Sequence, residues 1–358
     1  MNNKAVIAMS GGVDSSVAAY LMKQRGFDCI GVTMKLFANE DIGISREHSC
    51  CSLDDVEDAR SVAYSLDMPY YVFNFSDRFE TDVIDRFIHA YENGITPNPC
   101  IDCNRYLKFD KLYMRAKELD RDYVVTGHYA RVEKDENGRF LLKKALDDTK
   151  DQSYVLYCLT QEQLSHTIFP LGEMRKSQAR EIAESQGFIN ARKADSQDIC
   201  FVQNGSYADF IEQYTGKNYP NGDFLDTNGN VIGRHKGVIR YTVGQRKGLG
   251  ISAPEPLYVK AVNPVSNTVT LSYNDGLYSS IVKAGDINLI SIPEIKGEMR
   301  VKAKVRYRHT EQWATVTQNG DTITAVFDEP QRAVTCGQAL VLYDGDIVVG
   351  GGTIIEVK

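Results

Sequence analysis

Long apolar runs, a dense cysteine framework and a basic excess are all missing from this sequence, and each absence removes a class of protein. No stretch approaches the ~18 consecutive apolar side chains that a membrane-spanning helix needs, so no membrane partner is expected. Eight cysteines in 358 residues are too sparse for a disulfide-stapled chain. Two of them form a C-x-x-C, which suits reactive or metal-binding thiols in a reducing compartment. The net charge of −7 gives no overall attraction to nucleic acid, so such a partner has to be met by a local patch. The start, MNNKAVIAMSGG, reaches glycines too early for a secretory signal, and a cytoplasmic location is expected. Internal repeats and low-complexity linkers are absent as well. What remains is 42% hydrophobic and 25% charged, a globular composition, on a chain too long for one ordinary core.

The first two hundred residues alternate strand and helix. Ala5–Met9 is a short apolar strand, and Val17, Ala18, Leu21 and Met22 after Ser15 lie at helical spacing before Gly26, a C′ residue. Cys29–Phe37 and Tyr70–Phe75 read as further strands. Ser52 caps a helix carrying Val56, Ala59, Val62, Ala63 and Leu66, with Asp55 at the capping-box position. Ser76 opens another helix with Phe79, Val83, Phe87 and Tyr91 four apart, and Tyr123–Thr126 is a buried strand. Repeated βα units predict an α/β fold with a mostly parallel sheet. The pattern changes near residue 205. Residues 206–280 mix glycine-rich turns with short strands. Residues 281–358 are almost wholly β, with strands Met299–Tyr307, Trp313–Thr317, Thr322–Phe327, Leu340–Tyr343 and Ile347–Val349 and hairpin turns at Asn319-Gly320 and Asp344-Gly345. The expected plan is an α/β domain over 1–205, a small central domain over 206–280 and an antiparallel β-barrel over 281–358.

Three segments carry chemistry. Ser10-Gly11-Gly12-Val13-Asp14-Ser15-Ser16 lies between a strand and a helix, where glycines admit phosphate oxygens to the backbone, the helix N-terminus offers N–H groups, and the serines add hydroxyl donors. It lacks the G-K-[ST] ending of a Walker loop, so γ-phosphate transfer is not indicated. Thr96-Pro97-Asn98-Pro99-Cys100-Ile101-Asp102-Cys103-Asn104 precedes a helical segment. Cys103 near a helix N-terminus is expected to have its thiolate stabilised by the dipole. Half of a zinc site is the competing reading, weakened because no second C-x-x-C or paired histidine follows and Cys50-Cys51 is adjacent rather than spaced. The third segment is Asp195-Ser196-Gln197-Asp198-Ile199-Cys200-Phe201, whose cysteine on its own reads as core.

Those segments, with TGHYAR at Thr126–Arg131, KDQSY at Lys150–Tyr154, FPLG at Phe169–Gly172, YTVGQRKGLG at Tyr241–Gly250 and QRAVTCGQ at Gln331–Gln338, resemble the bacterial tRNA 2-thiouridylase family over nearly the whole chain. The resemblance implies an ATP-pyrophosphatase α/β domain, a central domain and a C-terminal barrel. It also implies adenylation of the C2 oxygen of an anticodon wobble uridine, followed by sulfur transfer to give 2-thiouridine, AMP and pyrophosphate. By the same resemblance, Cys103 is the nucleophile and Cys200 the persulfide carrier, with a Cys103–Cys200 disulfide to be reduced afterwards. ATP lies along Ala8, Met9, Ser10, Gly11, Gly12, Val13, Asp14 and Ser15, with Met34 and Gly127 on the adenine and ribose side and Asp14 on Mg2+. Asn98, Pro99 and Cys100 meet the target base. His128, Lys150, Asp151, Gln152, Arg306, Tyr307 and Gln338 contact tRNA, and a cysteine desulfurase or relay protein supplies sulfur. Many family members carry an acidic residue in place of Cys100. Here Cys100, Cys103 and Cys200 form an alternative ligand set for a [4Fe–4S] cluster.

Local charge supports an RNA partner. In Met299–His309, Val301, Ala303, Val305 and Tyr307 alternate with Lys302, Lys304, Arg306 and Arg308, which predicts one cationic strand face. Arg234, Lys236, Arg240, Arg246 and Lys247 add a second cluster with no acid within it. An ordinary solvated edge strand is the competing reading. Two other functions share these features: an argininosuccinate- or GMP-synthetase-like adenylating ligase, which needs neither cysteine, and a non-catalytic RNA-binding protein.

Overall fold

The structure is a computed structural model that describes residues 3–37, 53–195, 199–202 and 206–358. The chain divides into two compact units, one of Met1–Val83, Cys100–Asn204 and Gly345–Val349, the other of Ile84–Pro99, Gly205–Asp344 and Gly350–Lys358.

The first unit is built on strands β1 (Lys4–Ala8), β2 (Asp28–Lys35), β3 (Tyr70–Asn74), β4 (Tyr123–Val125) and β7 (Thr167–Ile168), all parallel, in the order β3-β2-β1-β4-β7. Helices α1 (Val13–Gln24) and α2 (Leu53–Ser65) follow β1 and β2. Apolar side chains of β1, α1 and α2, among them Ala5, Ile7, Val17, Ala18, Met22, Ala59 and Val62, are buried together. Helix α1 starts at Val13, inside the serine–glycine segment, and Gly26 takes the left-handed conformation (φ 77°) expected of a C′ residue. Ser52 and the Cys50-Cys51 pair lie outside the described residues. Asp55 accepts a 2.6 Å hydrogen bond from Lys193. A hairpin of β5 (Arg131–Lys134) and β6 (Phe140–Lys143) follows β4, and Ile347 pairs with Lys143.

The strand order reverses between β1 and β4, because β2 and β3 continue on one side and β7 on the other. In an open parallel sheet that point leaves a crevice at the carboxyl ends of the two strands, where ligands bind. The Ser10–Ser16 segment leaves β1 there and Thr126–Arg131 leaves β4 there, with Ile7 paired to Val125.

The helix opened by Ser76 runs as Ser76–Phe79, a π-helical turn over Glu80–Ile84, and Asp85–Glu92. A strict four-residue repeat drifts ~40° per step around an α-helix. The wider turn reduces that drift, and Phe79, Val83, Phe87 and Tyr91 are all buried.

The second unit contains helix α3 (Tyr207–Thr215), which the sequence reading of residues 206–280 did not foresee. A capping box at Ser206 starts it and Gly216, in the left-handed region, ends it. Strands β8 (Gly222–Leu225), β9 (Val231–His235), β10 (Tyr258–Asn263) and β11 (Thr268–Ser272) form a small sheet over Phe224, Val259, Val269 and Leu271. Strands β12 (Tyr278–Leu289), β13 (Glu298–Lys304), β14 (Gln312–Asn319), β15 (Thr322–Arg332), β16 (Ala339–Asp344) and β17 (Ile347–Val357) follow the order β12-β15-β14-β13-β16-β17. The β12–β17 pairing closes them into a barrel. Gly320 and Gly345 occupy the two predicted hairpin turns with φ of 57° and 60°.

Candidate nucleotide and thiol site

The Ser10–Ser16 loop is tightly held. Gly11 has φ 72°, and a Cβ there would lie 2.4 Å from the Asp55 carbonyl oxygen, so only glycine fits. Ser15 Oγ accepts from the Ser10 amide (3.2 Å) and donates to the Gly12 carbonyl (3.0 Å), Ser16 Oγ also donates to Gly12 (3.1 Å), and the Asn190 amide donates to the Gly11 carbonyl (2.9 Å). Ser15 and Ser16 are buried, so their hydroxyls shape the loop and are not turned outward as donors; Ser10 is exposed. Helix α1 begins after Gly12 with no side-chain cap, which leaves its first N–H groups available to an anion. Gly127 brings the end of β4 against this helix start, where a Cβ would come within 2.8 Å of the Asp14 carbonyl carbon and the Ser15 nitrogen. Ala8 and Met9 end the β1 side of the crevice, and Met34, half-buried near the end of β2, pairs with Phe73.

Charges beside the loop form a relay that motif reading did not single out. Lys176 donates to both oxygens of Asp14 at 2.7 Å and lies 2.7 Å from Asp195 Oδ1. The Tyr129 hydroxyl also donates to Asp14 (2.9 Å). Asp195 is bound in addition by Lys150 (2.9 Å) and Arg180 (2.9 Å). Burial alone would raise the Asp195 carboxyl, but hydrogen bonds from Lys176 and Lys150 outweigh it and hold it at about 2. Asp14, expected on Mg2+, is therefore occupied by an ammonium here. A carboxylate on the first turn of α1, beside free N–H groups, still has the chemistry of a magnesium–phosphate ligand.

The thiols differ from expectation. Helical residues run Pro99–Asp102, then a π-helical Cys103–Lys111, then Leu112–Glu118. Cys103 sits a full turn inside, beyond the reach of the terminal dipole. It is buried, and burial pushes its thiol up to about 11 against the opposing charge of Lys108. Dipole activation of Cys103 is therefore not found in this state. The next residue, Asn104, anchors the turn by donating to the Val155 carbonyl (3.0 Å). Cys100 is open to solvent by area, although protein atoms crowding its sulfur push the thiol up; the open area decides its access to a reagent. Cys200 is half-buried, next to Phe201, whose ring packs edge-on against Phe79 at 5.7 Å. Among the described residues no three His, Cys, Asp or Glu side chains are grouped to hold a metal ion, so Cys100, Cys103 and Cys200 are not assembled as a cluster ligand set.

Several expected tRNA contacts hold the protein itself. His128 is buried between Phe109 and Phe169 and bonded to Thr126 Oγ1, and burial drives its pKa well down, so it offers no charge to a phosphate. Asp151 accepts from the Ala145 amide and from Ser153, while Gln152 is bonded to the Tyr129 amide through its side chain. Gln338 donates to the carbonyls of Thr96 and Pro97 (2.9 and 3.1 Å), ordering the stretch that leads into Asn98 and Pro99. The predicted cationic strand face is interrupted: β13 ends at Lys304 and residues 305–309 turn. Arg306 donates to Val243 O and Thr335 Oγ1, and Lys302 lies 3.7 Å from Glu311. Lys304 sits over the exposed Tyr307 ring, and Arg308 is exposed. In the second cluster Arg234 pairs with Asp223, and Arg240 with Asp209 and Glu212, so that cluster is partly neutralised.

Comparison with known proteins adds a consistent result. The chain matches three family models: the tRNA methyl transferase HUP domain over residues 3–204, the tRNA methyl transferase PRC-barrel domain over 208–273 and the aminomethyltransferase beta-barrel domain over 279–354. It is 53% identical over 356 residues to the tRNA-specific 2-thiouridylase MnmA of Clostridioides difficile, covering 99% of this chain and 98% of that protein. It is 52% identical over 355 residues to the protein of the same name from Lachnoclostridium phytofermentans, covering 99% of each.

Proposed function

This chain belongs to the tRNA-specific 2-thiouridylase family, and from that premise we propose that it converts a wobble uridine of tRNA to 2-thiouridine at the expense of ATP. The observation that carries the reading is the union, in one compact unit, of an anion cradle at the β1/β4 crevice with Cys103 and Cys200. The family models are described by methyl transfer, but an anion cradle and two candidate sulfur-handling cysteines suit activation by ATP and sulfur delivery.

The uridine C2 carbonyl is a poor electrophile with a poor leaving oxygen. Its oxygen forms a bond to the α-phosphorus of ATP, the bond to the β-phosphate breaks, and pyrophosphate departs with the electron pair. The amides at the start of α1 and the glycines of the loop hold the phosphates, and Gly127 lets β4 approach them. Asp14 would hold Mg2+, which when bound would offset phosphate charge. A persulfide on Cys200, supplied by a cysteine desulfurase or relay protein, attacks C2 through its terminal sulfur, and AMP leaves with the former uridine oxygen. Cys103 then attacks the Cys200 sulfur, releasing 2-thiouridine and leaving a Cys103–Cys200 disulfide for an external thiol to reduce. Asn98, Pro99 and Cys100 border the base, and Lys304, Tyr307 and Arg308 offer the barrel's exposed contact to the RNA. Such an enzyme works where its tRNA is, in the cytoplasm; among the described residues no helix is long and apolar enough to cross a membrane.

The test is a reaction of the purified chain with unmodified tRNA, Mg2+, ATP and a desulfurase with cysteine, read by nucleoside mass spectrometry and pyrophosphate release. Wild type is expected to give both products. Asp14→Asn loses both, whereas Cys103→Ser and Cys200→Ser lose 2-thiouridine. Full thiolation by the double cysteine variant would reject the sulfur pathway.

A further inference from the structure

Lys176 is a charged side chain 8% exposed, held between two carboxylates of the nucleotide side of the site. Its own amide donates to Asp147 (2.9 Å), which fixes the start of helix Lys176–Ser185 and aims the side chain at Asp14. The two carboxylates are not equally dependent on it. Asp195 keeps Lys150 and Arg180 if Lys176 moves away. Asp14 has the uncharged Tyr129 hydroxyl besides Lys176. Phosphates at the N-terminus of α1 would put new negative charge directly beside Asp14, where repulsion is unaffordable unless a cation is shared with them. Lys176 is the cation already within reach, on a long flexible stem whose three donors can turn to a new acceptor.

We propose that Lys176 changes partner during the adenylation inferred above: it neutralises Asp14 in the nucleotide-free protein and binds the departing phosphates of ATP when Asp14 is taken up by the metal. As the bond between the α-phosphorus and the bridging oxygen breaks, the electron pair goes to pyrophosphate. Lys176 keeps its proton throughout and supplies positive charge to that leaving group. Because it touches the reacting phosphates, it is a catalytic residue under this assignment. Asp195 serves as its resting place, which remains neutralised by Lys150 and Arg180 after Lys176 turns.

The assignment rests on the ATP-dependent reading, so its test separates the two. Equilibrium binding of ATP with Mg2+, and of adenosine, is measured for wild type, Lys176→Gln and Lys176→Arg, together with thermal stability, tRNA affinity and tRNA-dependent pyrophosphate release. Lys176→Gln is expected to bind ATP about tenfold more weakly, to bind adenosine and tRNA as wild type does, and to release pyrophosphate about 100-fold more slowly. Lys176→Arg, which keeps the charge but not the compact head, recovers most of the ATP affinity and releases pyrophosphate about tenfold more slowly than wild type. Equal losses for ATP and adenosine, or an unchanged ATP affinity in Lys176→Gln, would overturn the assignment. If Lys176→Gln fails to fold, a wild-type pyrophosphate rate in folded Lys176→Arg overturns it. Wild type that binds ATP yet releases no pyrophosphate with tRNA sinks the proposed function, while the ATP-against-adenosine comparison still decides Lys176.

Discussion

Gly127→Ala tests whether the crevice between β1 and β4 is the nucleotide site. The added methyl would stand 2.8 Å from the Asp14 carbonyl carbon and the Ser15 nitrogen and 3.0 Å from the Asp14 Cβ. Ordinary contact begins at 3.4 Å, so the strand end and the helix start must separate by roughly half an ångström, and backbone cannot swing aside as a side chain can. Overpacking of this kind costs ~1–3 kcal/mol, against a gain of ~0.4–1 kcal/mol from the stiffer unfolded chain. A net loss of ~1–2 kcal/mol is expected in denaturant unfolding followed through the first unit. Because the displaced atoms carry the amides proposed to receive phosphate, the ATP concentration for half-maximal pyrophosphate release should rise at least about tenfold. Gly12→Ala is the matched control. Its methyl meets nothing closer than Ser10 Oγ at 3.5 Å, and its φ is −92°, so folding should be nearly unaffected while close phosphate approach is lost. If Gly127→Ala keeps wild-type ATP dependence, the nucleotide does not sit on this helix start.

Other outcomes follow from the same geometry. Alkylation of Cys103 in the free protein, resolved by peptide mass spectrometry, should climb with pH up to an apparent pKa near 11; a midpoint below 8 would contradict the burial that sets it. Asp195, held below its ordinary 3.8, contributes stability above pH 3.8 that fades as pH falls through about 2. Asp195→Asn should therefore flatten the acid limb of the unfolding profile, by no more than ~1 kcal/mol given its partial exposure. Arg306→Ala should lower barrel stability through its lost bonds to Val243 and Thr335, whereas Lys304→Ala with Arg308→Ala, which loses the Lys304 contact with the Tyr307 ring, should lower stability less and reduce the salt slope of tRNA binding by about 1–2. An unchanged slope would remove that surface from the RNA contact. Cys100→Ser should keep most of the thiolation rate, since the described residues assemble no metal ligand set around it; inactivity equal to that of Cys103→Ser would revive the cluster reading.

How much was legible depended on whether the information was local. The Ser10–Ser16 loop could be read because glycine and serine at a strand–helix junction have a meaning set by a few neighbouring residues. The Asn319-Gly320 and Asp344-Gly345 turns were legible for the same reason. The end of β13 was not, because Tyr307-Arg308-His309 contains no turn residue; the chain bends where Arg306 reaches Val243 and Thr335, partners far away in sequence. The charge of 234–247 was misread similarly, since Asp223, Asp209 and Glu212 lie outside the segment. Lys176 did leave a trace. Together with Arg175 it puts two cations at a helix N-terminus, where the dipole disfavours them, and such a local conflict is the mark of a side chain committed elsewhere.

Cys103 shows why a buried group cannot be judged from its motif, and what the difference means for the reaction. A helix terminus would have lowered its pKa; a buried position one turn further on raises it to about 11. At neutral pH Cys103 is therefore held as the protonated thiol. A protonated thiol is a weak nucleophile, toward a persulfide as toward an oxidant. Lys108, whose charge opposes the burial effect, is too weak a partner to reverse it alone. Activation in the proposed reaction therefore has to arrive with the substrate, through groups that the tRNA or the adenylated base brings to the buried sulfur. In the proposed reaction the raised pKa keeps Cys103 in its thiol form until substrate binds.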